Sequence, residues 1–140
     1  MKFTTVATTL LAASAVSGAT VTVSFDQTYD NKAGSLSTVS CSDGQNGLLT
    51  KGFTTFGSLP SFPNIGGAAA VEGFNSANCG TCWALNFQGV TVNVLAIDHT
   101  ASGFNIALEA MNTLTSGNAV FLGRINANAT QVSPSACGLK

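Results

Sequence analysis

Asp98, His99 and Thr100 place a carboxylate, an imidazole and a hydroxyl in succession at the end of an apolar run. A carboxylate there can accept hydrogen bonds, or serve as an acid if a second carboxylate faces it. Glycoside hydrolysis needs such a pair, about 5 to 9.5 Å apart, and Asp43 is the partner the sequence offers. Asp43 lies in Ser42-Asp-Gly-Gln-Asn-Gly47, where DG and NG steps signal turns and an Asp often serves its own backbone. Neither Asp has a Lys or Arg neighbour in sequence. Hydrogen bonding without turnover is therefore the expectation for Asp98, and no catalytic residue is assigned. An isolated Asp at a strand end is more often a turn cap, and that is the plain alternative for Asp98. His99 is expected to be a hydrogen-bonded structural residue rather than a proton donor.

The cysteines are the second chemical set: Cys41, Cys79, Cys82 and Cys137. Cys79-Gly-Thr-Cys82 has zinc-ligand spacing, with Cys41, Cys137 or the single His99 as further ligands, but there is no second CxxC. A redox reading would leave the two flanking cysteines idle. An even count behind a secretory leader reads as two disulfides. Bonding Cys79 and Cys82 each to a distant partner closes longer loops than bonding them to each other and constrains the unfolded chain more. No metal and no cofactor are expected.

The elements that must position these groups follow from periodicity. Thr91–Ile97 is apolar on both faces, as in a doubly covered strand. Ala101-Ser-Gly103 turns the chain, and Phe104, Ala107/Leu108, Met111 and Leu114 recur at helical spacing. Ser102 or Asn105 is the expected cap and Ser116-Gly117 the stop. Phe104 and Met111 read as helix core. Earlier, Val21–Phe25 alternates as a first strand, Asp26–Gly34 reads as a loop, and Ser35–Cys41 as a second strand with Leu36 and Val39 inward. Leu48–Phe56 reads as partly extended, and Ile65–Val71 as a short helix or a close-packed turn. Cys82–Phe87 and Val90–Ile97 make a hairpin about Gln88-Gly89, with Trp83 packed in the core. Ala119–Ile125 and Ala127–Val132 supply one or two closing strands. Short strands with Gly-rich turns and little helix indicate a mainly β barrel or sandwich.

The 140 residues suit one core. Lys2, the small apolar run Val6–Val16 and Ser17-Gly-Ala19 read as a signal peptide over 1–18, leaving one domain over 19–140 of a secreted, extracellular protein. No later stretch reaches about 18 apolar residues, so no membrane span is expected. Only 8% of the chain is charged, and no basic patch is present, which argues against nucleic acid and anionic membranes as partners. The surface must instead be rich in Ser, Thr, Asn, Gln and Gly, which suits a neutral, hydroxyl-rich partner. Asn128-Ala-Thr130 is a glycosylation sequon.

Three stretches together carry a resemblance: Cys41-Ser-Asp-Gly-Gln-Asn-Gly-Leu48, Phe74-Asn-Ser-Ala-Asn-Cys-Gly-Thr-Cys-Trp83, and Ala96-Ile-Asp-His-Thr-Ala-Ser-Gly-Phe-Asn-Ile106 with its continuation Ala110–Ala119. They resemble, in order and across essentially all of 19–140, the cerato-platanin family of small secreted fungal proteins. That resemblance implies a six-stranded double-ψ β-barrel with short helices, similar to expansin domain 1, and the pairings Cys41–Cys79 and Cys82–Cys137. It implies a protein of the fungal cell wall or its surroundings that binds chitin or N-acetylglucosamine oligomers. It further implies expansin-like loosening of cellulose without hydrolysis, and recognition by a plant host component that leads to defence or necrosis. It carries the shallow carbohydrate groove onto Ser42, Asp43, Asn46, Asp98, Thr100 and Asn105, with Gly44 nearby; Phe25 and Phe74 stand where family members often have Tyr or Trp. The alternatives are a surface-active wall protein, monomeric or weakly self-assembling, and a weak glycoside hydrolase.

Overall fold

The structure, a computed structural model, describes residues 18–140. Apart from Gly18, the expected leader over 1–18 lies outside the described residues. Six strands close into a barrel: β1 (Ala19–Phe25), β2 (Ile65–Ala68), β3 (Cys82–Phe87), β4 (Val90–His99), β5 (Phe104–Ile106) and β6 (Arg124–Val132). Their order around the wall is β1-β5-β2-β4-β3-β6, with β6 returning to β1. The β1–β5 and β2–β4 pairs are parallel, the other four antiparallel. This is the closed six-stranded barrel that the resemblance implies.

β4 forms the spine. Val94 to Ile97 are buried in succession, as expected of a strand covered on both faces. Its hairpin with β3 turns at Gln88 and Gly89, both with positive φ (49° and 82°), the type I′ geometry that matches strand twist. Both implied disulfides are present, Cys41–Cys79 and Cys82–Cys137. Among the described residues no free cysteine remains, so Cys79 and Cys82 are held by different partners and are not a zinc pair. Trp83 is half-buried, edge-on to Phe104 at 5.6 Å, and its indole N–H donates to the Thr81 hydroxyl.

Several elements differ from the sequence reading. Ile65–Ala68 is strand β2, not a helix or a turn. Its glycine pair is required by close approach: a Cβ on Gly66 would lie 2.4 Å from the Asn105 carbonyl oxygen. Phe104–Ile106 is strand β5, and the helix α1 begins only at Leu108, running to Leu114. The cap is neither Ser102 nor Asn105. The Asp30 carboxylate accepts hydrogen bonds from the Leu108 and Glu109 amides at 2.8 and 2.9 Å, satisfying orphan donors of the first turn and favouring its positive end. The helix stops as expected, with Ser116 and Gly117 at positive φ. Ser35–Cys41 is no strand but holds a 3-10 turn at Leu36–Thr38, although Leu36 and Val39 are buried as read. Leu48–Phe56 likewise contains one 3-10 turn, Leu49–Lys51, and enters another, Phe56–Ser58. Ala119–Leu122 forms a second short helix, α2, before β6. Its Phe121 is 88% exposed and Val120 68%.

Candidate functional site

A single residue row crosses five strands. Asp98 of β4 stands beside Gly67 of β2, Gly67 beside Asn105 of β5, Asn105 beside Ser24 of β1, and Ser24 beside Arg124 of β6. A bulge sets the first step. Gly66 pairs with Ala96, and the register then skips Ile97, so that Asp98 rather than a buried isoleucine adjoins Gly67. Gly67 has no side chain, and the Thr100 Cβ lies 3.3 Å from where its Cβ would be. The row therefore brings Asp98, Asn105 and Ser24 side by side on the barrel wall, with Thr100 packed over the buried Gly67. Asp98, Thr100, Asn105 and Ser24 are all half-buried.

Asp98 is fixed on both oxygens. Oδ2 accepts the Tyr29 hydroxyl at 2.9 Å, and Oδ1 accepts the backbone amides of Ser40 and His99 at 3.0 and 2.9 Å. The carboxylate thus ties two segments to the end of β4: the 3-10 turn Gln27–Asp30 and the chain before Cys41. On the neighbouring strand the Asn105 Oδ1 accepts the Ser24 hydroxyl at 3.0 Å. The Asn105 side-chain nitrogen and the Thr100 hydroxyl have no partner among the described residues, which leaves both as free donors. His99 is structural as expected, its Nδ1 2.6 Å from the Val71 carbonyl oxygen.

Tyr29 was not singled out by sequence. It sits in a segment read as a polar loop, yet it is 6% exposed and packs against Phe56 with ring centroids 6.2 Å apart. Burial, then the Asp98 charge, then the hydrogen bond to it, and finally the Asp26 charge push its hydroxyl well above the usual phenol range. Asp26, rather than Asp43, is the second carboxylate felt at this point. Because the proton is held more tightly in the folded state, the resulting stability is complete below the ordinary phenol value of about 10 and is lost as pH rises beyond it. Tyr29 is the chain's one tyrosine, so tyrosinate absorbance titrates a single group. In the native protein it is expected to ionise well above pH 10, with the unfolding midpoint falling over the same range. Ionisation near 10 with the fold intact would contradict the buried Tyr29–Asp98 contact.

The structure brings Asp98, Thr100 and Asn105 together, but the loop carrying Ser42, Asp43 and Asn46 is a separate wall. Its base is close, since the Cys41 amide donates to the Ile97 carbonyl, one residue before Asp98. Its side chains are occupied locally. The exposed Asp43 accepts its neighbour Gly44's amide. The Asn46 amide donates to the Asn75 Oδ1, and its side-chain nitrogen to the Asn75 carbonyl. Gly44, at φ +85°, lies against the same Asn75 side chain. Asn75 is thus the unforeseen partner that shapes this wall, and no hydrogen bond joins Asp43 to Asp98. Ser42 is half-buried, its carbonyl accepting the Leu49 amide. Asn128 of the sequon is exposed on β6. Among the described residues no group of three or more His, Cys, Asp or Glu side chains is arranged to hold a metal.

Comparison with known proteins gives a consistent picture. The model of the family described as Cerato-platanin matches residues 21–139. The Allergen Asp f 15 homolog of Arthroderma benhamiae is 52% identical, covering all of this chain and 71% of its own length. Cerato-platanin of Ceratocystis fimbriata f. sp. platani is 34% identical, over 84% of this chain and 86% of its own. Among solved structures, cerato-platanin 2 from M. perniciosa superposes with a TM-score of 0.82 at 52% identity, covering 86% of this chain and all of the other. The solution structure of the fungal elicitor Cerato-Platanin has a TM-score of 0.75 at 35% identity, over 84% and 96% of the two chains.

Proposed function

The chain belongs to the cerato-platanin family, and we propose that it is a secreted wall-acting elicitor that binds N-acetylglucosamine oligomers along the Asp98–Gly67–Asn105 row, as a shallow groove, without hydrolysing them. The single observation that carries this reading is the row itself: beside Asp98, the Asn105 side-chain nitrogen and the Thr100 hydroxyl are half-buried donors with no partner among the described residues. Hydroxyl and acetamido groups of such an oligomer are neutral donors and acceptors of the matching kind. The non-hydrolytic part is supported by Asp98, whose two oxygens already receive three protein donors and which has no hydrogen-bonded link to Asp43. Hydrolysis normally needs two carboxylates flanking the bond. Expansin-like loosening fits the same chemistry, because each exchangeable hydrogen bond is worth only about 0.5–1.5 kcal/mol net. Elicitation follows a solved relative whose description states it, and a plant component would recognise the protein or the fragments it holds.

Asn105→Ala and Thr100→Ala test the groove without cutting the Asp98 anchor. Each is expected to weaken binding of the N-acetylglucosamine tetramer by about two- to tenfold, the value of one hydrogen bond, while wild type releases no new reducing ends from chitin or cellulose. Unchanged affinity in both variants would move the site elsewhere. Sustained sugar release would overturn the non-hydrolytic reading. A second reading, a surface-active wall protein, draws support from the exposed Val120 and Phe121 of α2 and from Phe74, which is 66% exposed.

A further inference from the structure

At the other end of β4 from Asp98 lies a cleft of about 450 Å³ between the Pro60–Asn64 segment, the start of β4 and the turn at Ala136–Gly138. We propose that this cleft is a second binding site, for a neutral, hydroxyl-rich ligand such as a sugar unit. Its lining includes no ionisable side chain, so a charged ligand would be buried there without a counter-charge. It does include two half-buried side-chain amides, Asn64 and Asn93, neither of which makes a side-chain hydrogen bond within the described residues. Each amide offers two N–H donors and one carbonyl acceptor, the combination that neighbouring hydroxyls can both accept from and donate to.

A further observation points the same way. The half-buried Phe62 also lines the cleft and supplies an apolar face on which the C–H side of a sugar ring can rest. The walls are held in place. The Asn64 amide donates to the Ser61 carbonyl at 2.7 Å, the Leu95 amide donates to the Asn64 carbonyl, and Cys137 is bonded to Cys82. The site therefore needs no folding of its own to receive a ligand.

Asn93 and Asp98 are five residues apart on one strand, or roughly 17 Å. If the groove reading also holds, on which this consequence rests, one barrel presents a sugar-facing site at each end of β4. It can then engage two polymer chains, or two stretches of one, with the gain in avidity that linkage brings. The cleft itself stands independently of the groove.

Backbone-amide NMR on the intact, disulfide-bonded chain tests both sites at once. The probes are the N-acetylglucosamine tetramer and, separately, the β-1,4-glucose tetramer, at millimolar concentration. Resonances of 61–64, 91–93 and 136–138 are expected to shift with at least one probe, in wild type and equally in Asn105→Ala. The isosteric Asn93→Asp, which removes two donors and keeps the shape, is expected to weaken those shifts about fivefold in affinity. Shifts confined to the groove overturn the cleft and leave the groove reading intact. Shifts confined to the cleft do the reverse. No shift at either end overturns both, and cleft shifts unaltered by Asn93→Asp and Asn64→Ala overturn this assignment.

Discussion

Loss of both disulfides is expected to remove most of the stability of this barrel. The bonds close loops of 38 and 55 residues, for which the chain-entropy relation gives about 4 kcal/mol each. Their sum is comparable to the whole stability of a typical domain, about 5–15 kcal/mol. Position adds to the effect. Cys41–Cys79 spans a stretch whose one barrel strand is the four-residue β2, the rest being 3-10 turns and loops anchored by single core side chains such as Leu48, Phe56 and Val71. Cys82–Cys137 pins the final 3-10 turn, Pro134–Cys137, to the start of β3. All four cysteines are buried, so reduction has to be carried out in denaturant before return to native buffer. The paired variants Cys41→Ala/Cys79→Ala and Cys82→Ala/Cys137→Ala separate the two terms. An unfolding midpoint unmoved in protein whose thiols all titrate as free would refute the expectation.

The second large effect is expected from one methyl group. Gly66→Ala puts a Cβ 2.4 Å from the Asn105 carbonyl oxygen and 2.6 Å from the Ile106 Cα. Both are backbone atoms of β5, which no rotamer change can move aside. The strand pair must separate, at the upper end of the about 1–3 kcal/mol usual for overpacking. Because β2 lies between Asp98 and Asn105, groove binding should fall together with stability. Gly73→Ala, where a Cβ meets nothing within 4 Å, is the matched control. Equal urea midpoints for the two variants would mean that β2 and β5 are not packed as described.

The parts of this fold that were legible in sequence are those governed by neighbours in the chain. The β3–β4 hairpin follows from alternation on either side of Gln88-Gly89, and the buried face of β4 from its unbroken apolar run. Other strands were hidden because long-range approach decides them. Gly66-Gly67 argues against any regular element on local propensity, and becomes a strand only because β5 lies too close for a side chain. Phe104–Ile106 continues a helical spacing into α1, but it is paired with β1 and β2 instead, a tertiary override of local pattern. Similarly, the cap of α1 comes from Asp30, 78 residues before Leu108, which no capping motif within the helix can announce.

The site divides in the same manner. Asp98, Thr100 and Asn105 are close in sequence, and the structure assembles them around Gly67. The register skip that sets Asp98 beside Gly67, and the Tyr29 and Asn75 contacts that brace the two walls, join distant segments. A lone tyrosine amid Asp26, Gln27, Thr28 and Asp30 was the available clue: a large aromatic in an otherwise polar turn has to bury its ring somewhere.

Barrel closure also fixes an order of events during synthesis. β6 lies between β1 and β3, with Ala19 opposite Ala129 and Cys82 opposite Val132. Until residues 124–132 have left the ribosome, β1 and β3 each present an open edge able to pair with a neighbouring chain. The wall cannot be completed from the N-terminus outward, because its seam joins the earliest described strand to the last, and such distant pairings form slowly. Cys41 and Cys79 are both available well before that moment, whereas Cys82 waits for Cys137, which emerges after β6 itself. The nascent chain therefore passes through a stage with one bond able to form and one thiol unmatched, and the second bond can be made only once every strand of the barrel has been synthesised.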